Sequence, residues 1–377
     1  MTYMLFGASE SGKEVLSFLN EYVLDIKISC FLDNDINKKF YKGLVVKHPD
    51  QVMLKQGCDV VIITSQYYNE IRKQLLSKGL RENIDFFNGT ILYNLSIQLK
   101  QVKDKFYQLS KEGIKYSIVG NKDLGLKKTS DTIFLLGSGS SINKINEVQW
   151  EHIRQNDSWG FNYWPVHDYK PTFYSFEITP KKNKILLTNM VSNYIKKINH
   201  NGSYPLDFIK DIIHYSSGDL NDLKNSVTKV PFVKDAFLPI KDEQEMESTL
   251  VLLDKLKLLD NDIIYRSVAS IVTLTLIAIK LGYKNIILCG IDMNDSKYFY
   301  FETDYYKKRK FLLPEQSQKN SSLPHETMQK DGELLGADKI LKIINNKFAK
   351  PRGVNIYVAN KSSALYPDFI LYEDWYN

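Results

Sequence analysis

Three groups of residues in this chain have types and spacings that could do chemistry. Gly137-Ser138-Gly139-Ser140-Ser141-Ile142 follows the apolar run Thr132–Leu136. Glycines and serines straight after a strand offer backbone N–H groups and hydroxyls to a phosphate. Taken alone, such a loop also looks like any flexible turn. His325 follows a Ser/Pro/Leu stretch and precedes a helical pattern over Glu326–Phe348. A helix N-terminus lowers a histidine's pKa and keeps it available as a proton acceptor. An isolated histidine there reads equally well as a surface residue. Near the start of the chain, Gly7-Ala8-Ser9-Glu10-Ser11-Gly12 follows a strand, opens a helix and has Asp33 downstream. That is the placement of a dinucleotide fingerprint, with Ser9 where the middle glycine belongs. Glu14 stands where a P-loop needs a magnesium-binding hydroxyl, and its carboxylate would repel phosphate.

Two further segments, Asp33-Asn34-Asp35 and Asp260-Asn261-Asp262, look like a metal-binding Asp-x-Asp signature. Both sit at turn-rich ends of segments, where Asp and Asn are common anyway. The expectation is no metal site and no cofactor. Of the other histidines, His48, His200 and His214 lie in polar settings without a partner motif, while His152 and His167 flank Asn162 and could line a site.

These residues need positioning elements, and the pattern supplies an α/β fold. Tyr3–Phe6, Ile26–Leu32 and Val60–Thr64 read as buried strands, with helical patterns at Lys13–Leu19 and Tyr67–Lys78 between and after them. Strand, helix, strand with short connections is the βαβ signature. A polar helix over Ser96–Lys111 and a Gly/Asn/Lys-rich stretch over Gly120–Ser130 read as a connection. Strands at Thr132–Leu136, Asn285–Cys289 and Val354–Val358, with an apolar helix over Ser267–Lys280, build a second α/β part. The expected organisation is a Rossmann-like accessory domain over 1–95, a helical linker over 96–130 and a ligand-binding domain over 131–377. The fold class is α/β with two Rossmann-like domains, the second a parallel sheet with a lid loop.

Composition narrows the function classes. The chain has 377 residues, 43% hydrophobic and 25% charged, which is ordinary globular composition. Cys30, Cys58 and Cys289 are odd in number and far apart, against a disulfide framework and a structural zinc site. Fifty Lys and Arg against 44 Asp and Glu give a net charge of +6, too mild for a dedicated nucleic-acid binder. The opening MTYMLFGASESG has no basic region before its apolar stretch, and the longest apolar run, Val268–Ile279, falls short of the ~20 residues a bilayer span needs. The expected location is cytoplasmic, with peripheral contact at an inner membrane. Phe299–Leu313 interleaves aromatics with Lys307, Lys308, Arg309 and Lys310, a pattern that could grip an anionic glycolipid or membrane surface. A solvated basic face beside packed aromatics fits it as well. The polar stretch Pro314–Pro324 after it reads as a loop that could act as a lid.

From 131 to 360 the chain resembles the bacterial sialyltransferases of glycosyltransferase family 42 and the motility-associated proteins that share their nucleotide-binding core. The resemblance rests on motifs in order. The Gly137–Ile142 loop is similar to the family's Gly-Asn-Gly-Pro-Ser-Leu loop. Asn162 lies in Gly160-Phe161-Asn162-Tyr163, where the family's next strand carries an Asn within a Cys-Asn-Gln segment. Leu281-Gly282-Tyr283-Lys284 and Cys289-Gly290-Ile291-Asp292 form the most specific match. Tyr298 and Tyr300, His325, and then Asn355-Ile356-Tyr357 follow. Ser138 replaces the loop Asn, Ser175 stands near a second family Asn, and Asn294 stands where the first of two tyrosines is expected.

The resemblance implies an inverting, metal-independent glycosyltransferase. It would move a sialic-acid-like nonulosonic acid from a CMP donor to an oligosaccharide or glycolipid acceptor of a bacterial surface glycan, in lipopolysaccharide or capsule biosynthesis. Gly137, Ser138, Gly139, Ser140, Ser141, Asn162, Ser175, Ser270 and Asp292 would bind the donor. Tyr298 and Tyr300 would stabilise the leaving phosphate, and His325 would deprotonate the acceptor. Such a reaction needs a base for the acceptor hydroxyl and donors for the departing phosphate, and these residue types supply both. The expected partners are the CMP-sugar and the glycan acceptor, with no nucleic acid; a homo-oligomer is compatible with the chain. Three alternatives remain open: a non-catalytic nucleotide-binding assembly factor of the motility-associated type, a transferase using another donor such as CMP-Kdo, and an enzyme whose active part is 1–95. Ser9 and the lack of a nearby Tyr-x-x-x-Lys pair weigh against the last.

Overall fold

The computed structural model describes residues 2–54, 59–113, 118–119, 127–176, 206–209, 232–295, 297–302, 324–328 and 333–375. The expected lid loop at 314–324 therefore lies outside the described residues except for Pro324, and so do Cys58, His200, His214 and the basic run Lys307–Lys310. The chain forms two compact units. One comprises Met1–Gln101 and Gln244–Asn261, the other Val102–Glu243 and Asp262–Asn377. The expected α/β class with parallel sheets holds in both.

The first unit contains strands β1 (Thr2–Phe6), β2 (Ile28–Leu32), β3 (Phe40–Tyr41), β4 (Leu44–Lys47), β5 (Asp59–Ile63) and β6 (Phe86–Asn88). Their order in the sheet is β3-β4-β2-β1-β5-β6. All pairings are parallel except the β3/β4 hairpin. Helix α1 (Glu10–Tyr22) is capped by Ser9, whose hydroxyl accepts from the Gly12 amide, and it buries Val15, Leu16, Phe18 and Leu19. Helix α2 (Tyr68–Ser77) contributes Ile71 and Leu75 to a cluster with Met4, Phe6, Val61, Ile63 and Phe86. Each such side chain contributes about 1.5–3 kcal/mol of burial free energy. A later helix, Glu243–Lys255, belongs to this unit from Gln244 onward, and the Tyr3 hydroxyl donates to the Lys255 carbonyl at 3.4 Å.

The second unit holds an eight-stranded sheet. Its strands are β7 (Ile118–Val119), β8 (Thr132–Leu136), β9 (Asp157–Phe161), β10 (Phe173–Phe176), β11 (Leu206–Ile209), β12 (Phe232–Val233), β15 (Asn285–Cys289) and β16 (Asn355–Val358). The order is β16-β15-β8-β9-β10-β11-β12-β7, and every pairing is parallel. Strands β13 (Asp235–Phe237) and β14 (Ile264–Arg266) make a separate parallel pair. Strand β8 is buried along its whole length, as its uninterrupted apolar run requires. From β8 the chain reaches β9 on one side, while β15 and β16 lie on the other. That reversal is a topological switch point, and loops there leave the carboxyl ends of adjacent strands. Helix Ser270–Lys280 buries Ile271 through Ile279.

One expected element is different. Glu326–Phe348 is not a single helix. Residues 326–328 form a turn, and the helix covers Ala337–Ile344 before a wider turn to Ala349. Gly336, extended at its N-cap, starts the helix anew. The turn packs back on that start: the Ala337 amide donates to the Thr327 carbonyl at 2.9 Å, and a Cβ on Gly336 would stand 2.7 Å from the Met328 carbonyl oxygen. Among the described residues no helix is long and apolar enough to cross a membrane.

Candidate active site

The loop after β8 and the loop after β15 are built around each other. The Gly137 amide donates to the Cys289 carbonyl at 2.7 Å, and the Gly139 amide to the Gly290 carbonyl at 2.8 Å. The Ser140 amide donates to the Lys297 carbonyl at 3.1 Å, and the Ser141 amide to Asp292 Oδ2 at 2.9 Å. The glycines are needed for this close approach. A Cβ on Gly137 would stand 2.3 Å from Ile291 Cδ1, and one on Gly139 2.5 Å from Asp292 Oδ2. Four of the loop's amides are thus spent on the partner loop rather than presented as a free cradle. Ser138 and Ser140 are part-exposed.

Asp292 is the buried anchor of this junction. It accepts from the Ser141 amide and hydroxyl, and its own carbonyl accepts from the Ala364 amide at 2.8 Å. Burial pushes its carboxyl above the ordinary aspartate range, outweighing the two Ser141 hydrogen bonds that pull it down. Beside it a cleft of about 180 Å³ is lined by Ser141, Lys144, Asn146, Gln149, Asn360 and Trp375, among others.

Beyond Asp292 the chain turns at Met293 and Asn294. Met293 holds φ of 61°, an uncommon backbone state for a residue with a side chain. Its carbonyl accepts the His325 amide at 2.9 Å. Asn294 Nδ2 donates to the Ser362 carbonyl at 2.6 Å, which fixes this loop to the C-terminal segment. Tyr298 pairs across to Gly139, and the Phe299 amide donates to the Ser138 carbonyl at 3.0 Å. The short helical turn Phe299–Glu302 begins there.

These connections bring Tyr298, Tyr300 and His325 together. The rings of Tyr298 and Tyr300 stack at 5.4 Å with 4° between their planes. The Tyr298 hydroxyl lies 3.1 Å from His325 Nε2. Burial raises both phenols above the ordinary tyrosine range, so both remain protonated donors through neutral pH. Tyr163 joins them, its ring 6.0 Å from that of Tyr300. The sequence reading passed over Tyr163, although it directly follows Asn162.

His325 opens a turn over residues 326–328 and not a helix. Its Nδ1 is held by Thr327. The Thr327 hydroxyl lies 2.9 Å from it, and the Thr327 amide donates to it at 3.3 Å.

The other expected site residues are placed as follows. Asn162 sits at φ of 52°, a left-handed position Asn tolerates, and its amide donates to the Ser175 carbonyl at 2.9 Å. Ser175 is fully buried within the sheet, where its hydroxyl accepts from Trp159 Nε1 at 3.1 Å. That placement removes its hydroxyl from any open ligand surface. Ser270 is the first residue of its helix, with Ala269 as cap. His152 Nε2 lies 3.1 Å from the Tyr372 hydroxyl, and His167 stacks on Trp164 at 4.8 Å. Asp33 accepts from the Ala8 and Asp35 amides and from Lys38, so it closes its own loop. Among the described residues, no group of three or more His, Cys, Asp or Glu side chains is placed to hold a metal ion.

Residues 1–84 match the family model described as C2185-like, N-terminal. No curated protein matches the chain in sequence. Among solved structures, the monofunctional alpha-2,3-sialyltransferase Cst-I from Campylobacter jejuni is similar, with 19% identity, a TM-score of 0.36, and coverage of 65% of this chain and 82% of that one. The sialyltransferase CstII from Campylobacter jejuni, in complex with the substrate analogue cytidine-5'-monophosphate, shows 16% identity, a TM-score of 0.36, and coverage of 65% and 86%. An alpha-2,3-sialyltransferase from Campylobacter jejuni in apo form shows 19% identity, a TM-score of 0.35, and coverage of 66% and 82%.

Proposed function

We propose that the second unit is an inverting glycosyltransferase acting on a CMP-activated, sialic-acid-like sugar. The observation that carries this reading is the grouping of Tyr298, Tyr300 and His325 beside the loop after β8, at the carboxyl end of the sheet. In this reading the acceptor hydroxyl attacks the anomeric carbon and gives its proton to His325 Nε2. The bond from that carbon to the CMP phosphate breaks, and its electron pair stays on the phosphate oxygen. The neutral phenols of Tyr298 and Tyr300 donate to that developing charge, which is worth most in a site shielded from water. Ser138, Ser140 and Asn162 would contact the nucleotide. The acceptor would be an oligosaccharide or glycolipid of a bacterial surface glycan.

The test has three parts. Calorimetric titration with CMP, UMP and NAD should show preference for CMP. Incubation with CMP-sugars without acceptor should release CMP, and excess EDTA should leave that rate largely intact. His325→Ala should lower transfer by ~10²–10⁴, the usual worth of a positioned base, while leaving CMP affinity nearly unchanged. Preference for UMP or NAD would overturn the reading. CMP binding with no turnover, in wild type and variant alike, would favour a nucleotide-binding assembly factor.

A further inference from the structure

On the side of His325 away from Tyr298, Nδ1 meets the hydroxyl and the amide of Thr327. The turn that carries it is anchored twice, by the His325 amide on the Met293 carbonyl and by the Ala337 amide on the Thr327 carbonyl, each at 2.9 Å. The imidazole is therefore gripped at both nitrogens, Nε2 by the Tyr298 hydroxyl and Nδ1 by Thr327. The two Thr327 groups ask for different protonation. A backbone amide can only donate, so it suits a ring whose Nδ1 is bare and whose proton sits on Nε2. A hydroxyl can donate or accept, so it also suits a ring protonated on Nδ1. Only the second tautomer leaves the Nε2 lone pair to take a proton.

We propose that the Thr327 hydroxyl is the positioning partner of His325, accepting its Nδ1–H and so holding the tautomer, and then the imidazolium, that base catalysis at Nε2 requires. This rests on the assignment of His325 as base. When the acceptor proton arrives at Nε2, the ring carries protons on both nitrogens. The Nδ1–H then needs an acceptor, and the Thr327 hydroxyl at 2.9 Å supplies it. A base aligned by a third group is the general architecture of activated acceptors.

The test compares Thr327→Val, which keeps the shape and removes the hydroxyl, with Thr327→Ser, which restores it. Nitrogen-15 spectra of the imidazole identify which nitrogen carries the proton. In wild type, His325 should show a populated Nδ1–H tautomer. In Thr327→Val the population should move to Nε2–H, because the amide donor remains. The turnover number should fall about five- to tenfold, the worth of one such bond, with KM for the CMP-sugar unchanged. Thr327→Ser should restore both. A wild-type ring held entirely as Nε2–H, or spectra unchanged in Thr327→Val, would overturn the proposal. The ring signals decide this whether or not transfer is found, whereas His325→Ala kinetics decide separately whether the histidine is the base.

Discussion

The Tyr298 hydroxyl lies 3.1 Å from His325 Nε2, across 27 residues of sequence, with the two rings nearly perpendicular at 87°. Tyr298 thus meets a candidate base through its hydroxyl and Tyr300 through its ring. The contact restrains the imidazole, and once Nε2 takes the acceptor proton it can donate to the phenol oxygen, which frees the phenol hydrogen for a departing phosphate in the proposed reaction.

Tyr298→Phe should therefore lower CMP-sugar turnover by ~10²-fold, within the range for loss of one preorganised donor, with little effect on folding because the ring stack is kept. Steady-state rates and a thermal melt check the two halves. The pH dependence has a definite sign. Burial raises the Tyr298 pKa, so the donor form persists beyond the ordinary value of 10.0 and is lost only as pH rises through the raised value. A loss of rate in the wild type between about pH 7 and 9 would have to come from another group.

Gly139→Ala tests the packing of the two loops. The new Cβ would stand 2.5 Å from Asp292 Oδ2 and 2.7 Å from the Gly290 carbonyl oxygen. Overpacking of this kind costs about 1–3 kcal/mol. The expected outcome is a lower urea midpoint even without nucleotide. Unchanged stability with lost CMP binding would mean that this glycine serves the ligand and not the loop junction.

Strong local patterns made much of this fold legible. Thr132–Leu136 and Asn285–Cys289 are strands over the very bounds their apolar runs mark. Strand β9 has little local signal of its own, because Asp157-Ser158-Trp159-Gly160-Phe161 mixes polar and small residues, and Asp157, Ser158 and Trp159 find their partners 14 to 28 residues away. The helix Glu243–Lys255 is apparent as a helix only weakly in its hydropathy, and its return to the first unit depends on contacts no local pattern encodes. In the candidate site, the tyrosines and His325 could be picked out by type and order. The reason for the glycines could not, because it lies in the other loop. The turn at 325–328 was read as helix since its residues have no breaker until Gly332, and Gly336 proved to be the start of the helix.

Asp157 is a second consequence of those distant partners. It is fully buried and accepts from the Thr129 amide at 2.7 Å, the Thr129 hydroxyl at 2.6 Å, the Ser130 amide at 3.1 Å and the Tyr283 hydroxyl at 2.8 Å. It starts β9, at the end of the sheet opposite the candidate site. Asp157→Ala would strand several donors, each costing about 1–3 kcal/mol when left unpaired. Chemical denaturation should show a loss of at least that size for the variant. In the folded fraction, CMP affinity should match the wild type.

Asp292 gives a prediction whose sign runs against the usual carboxylate. Most native carboxylates are held below their ordinary range by cations, as Asp131 is lowered to about 2 by Lys128 and Lys284, and such groups add stability as pH rises. Asp292 is instead raised above its ordinary 3.8, chiefly by burial and further by the nearby Asp295, with Ser141 and Lys144 acting against the shift. A raised folded value means that the protonated form is the better accommodated one. Its contribution to stability is complete below the unfolded value and is lost as pH climbs through the raised folded value. Asp292→Asn keeps an acceptor for the Ser141 amide and removes the charge. Urea midpoints of wild type and variant, measured from about pH 4 to 7, should diverge with rising pH in favour of the variant. The difference between the two curves isolates this group from Asp131 and the other carboxylates. A difference that moves in the wild type's favour as pH rises would show that the Ser141 hydrogen bonds outweigh burial and that Asp292 is held as a stabilised anion.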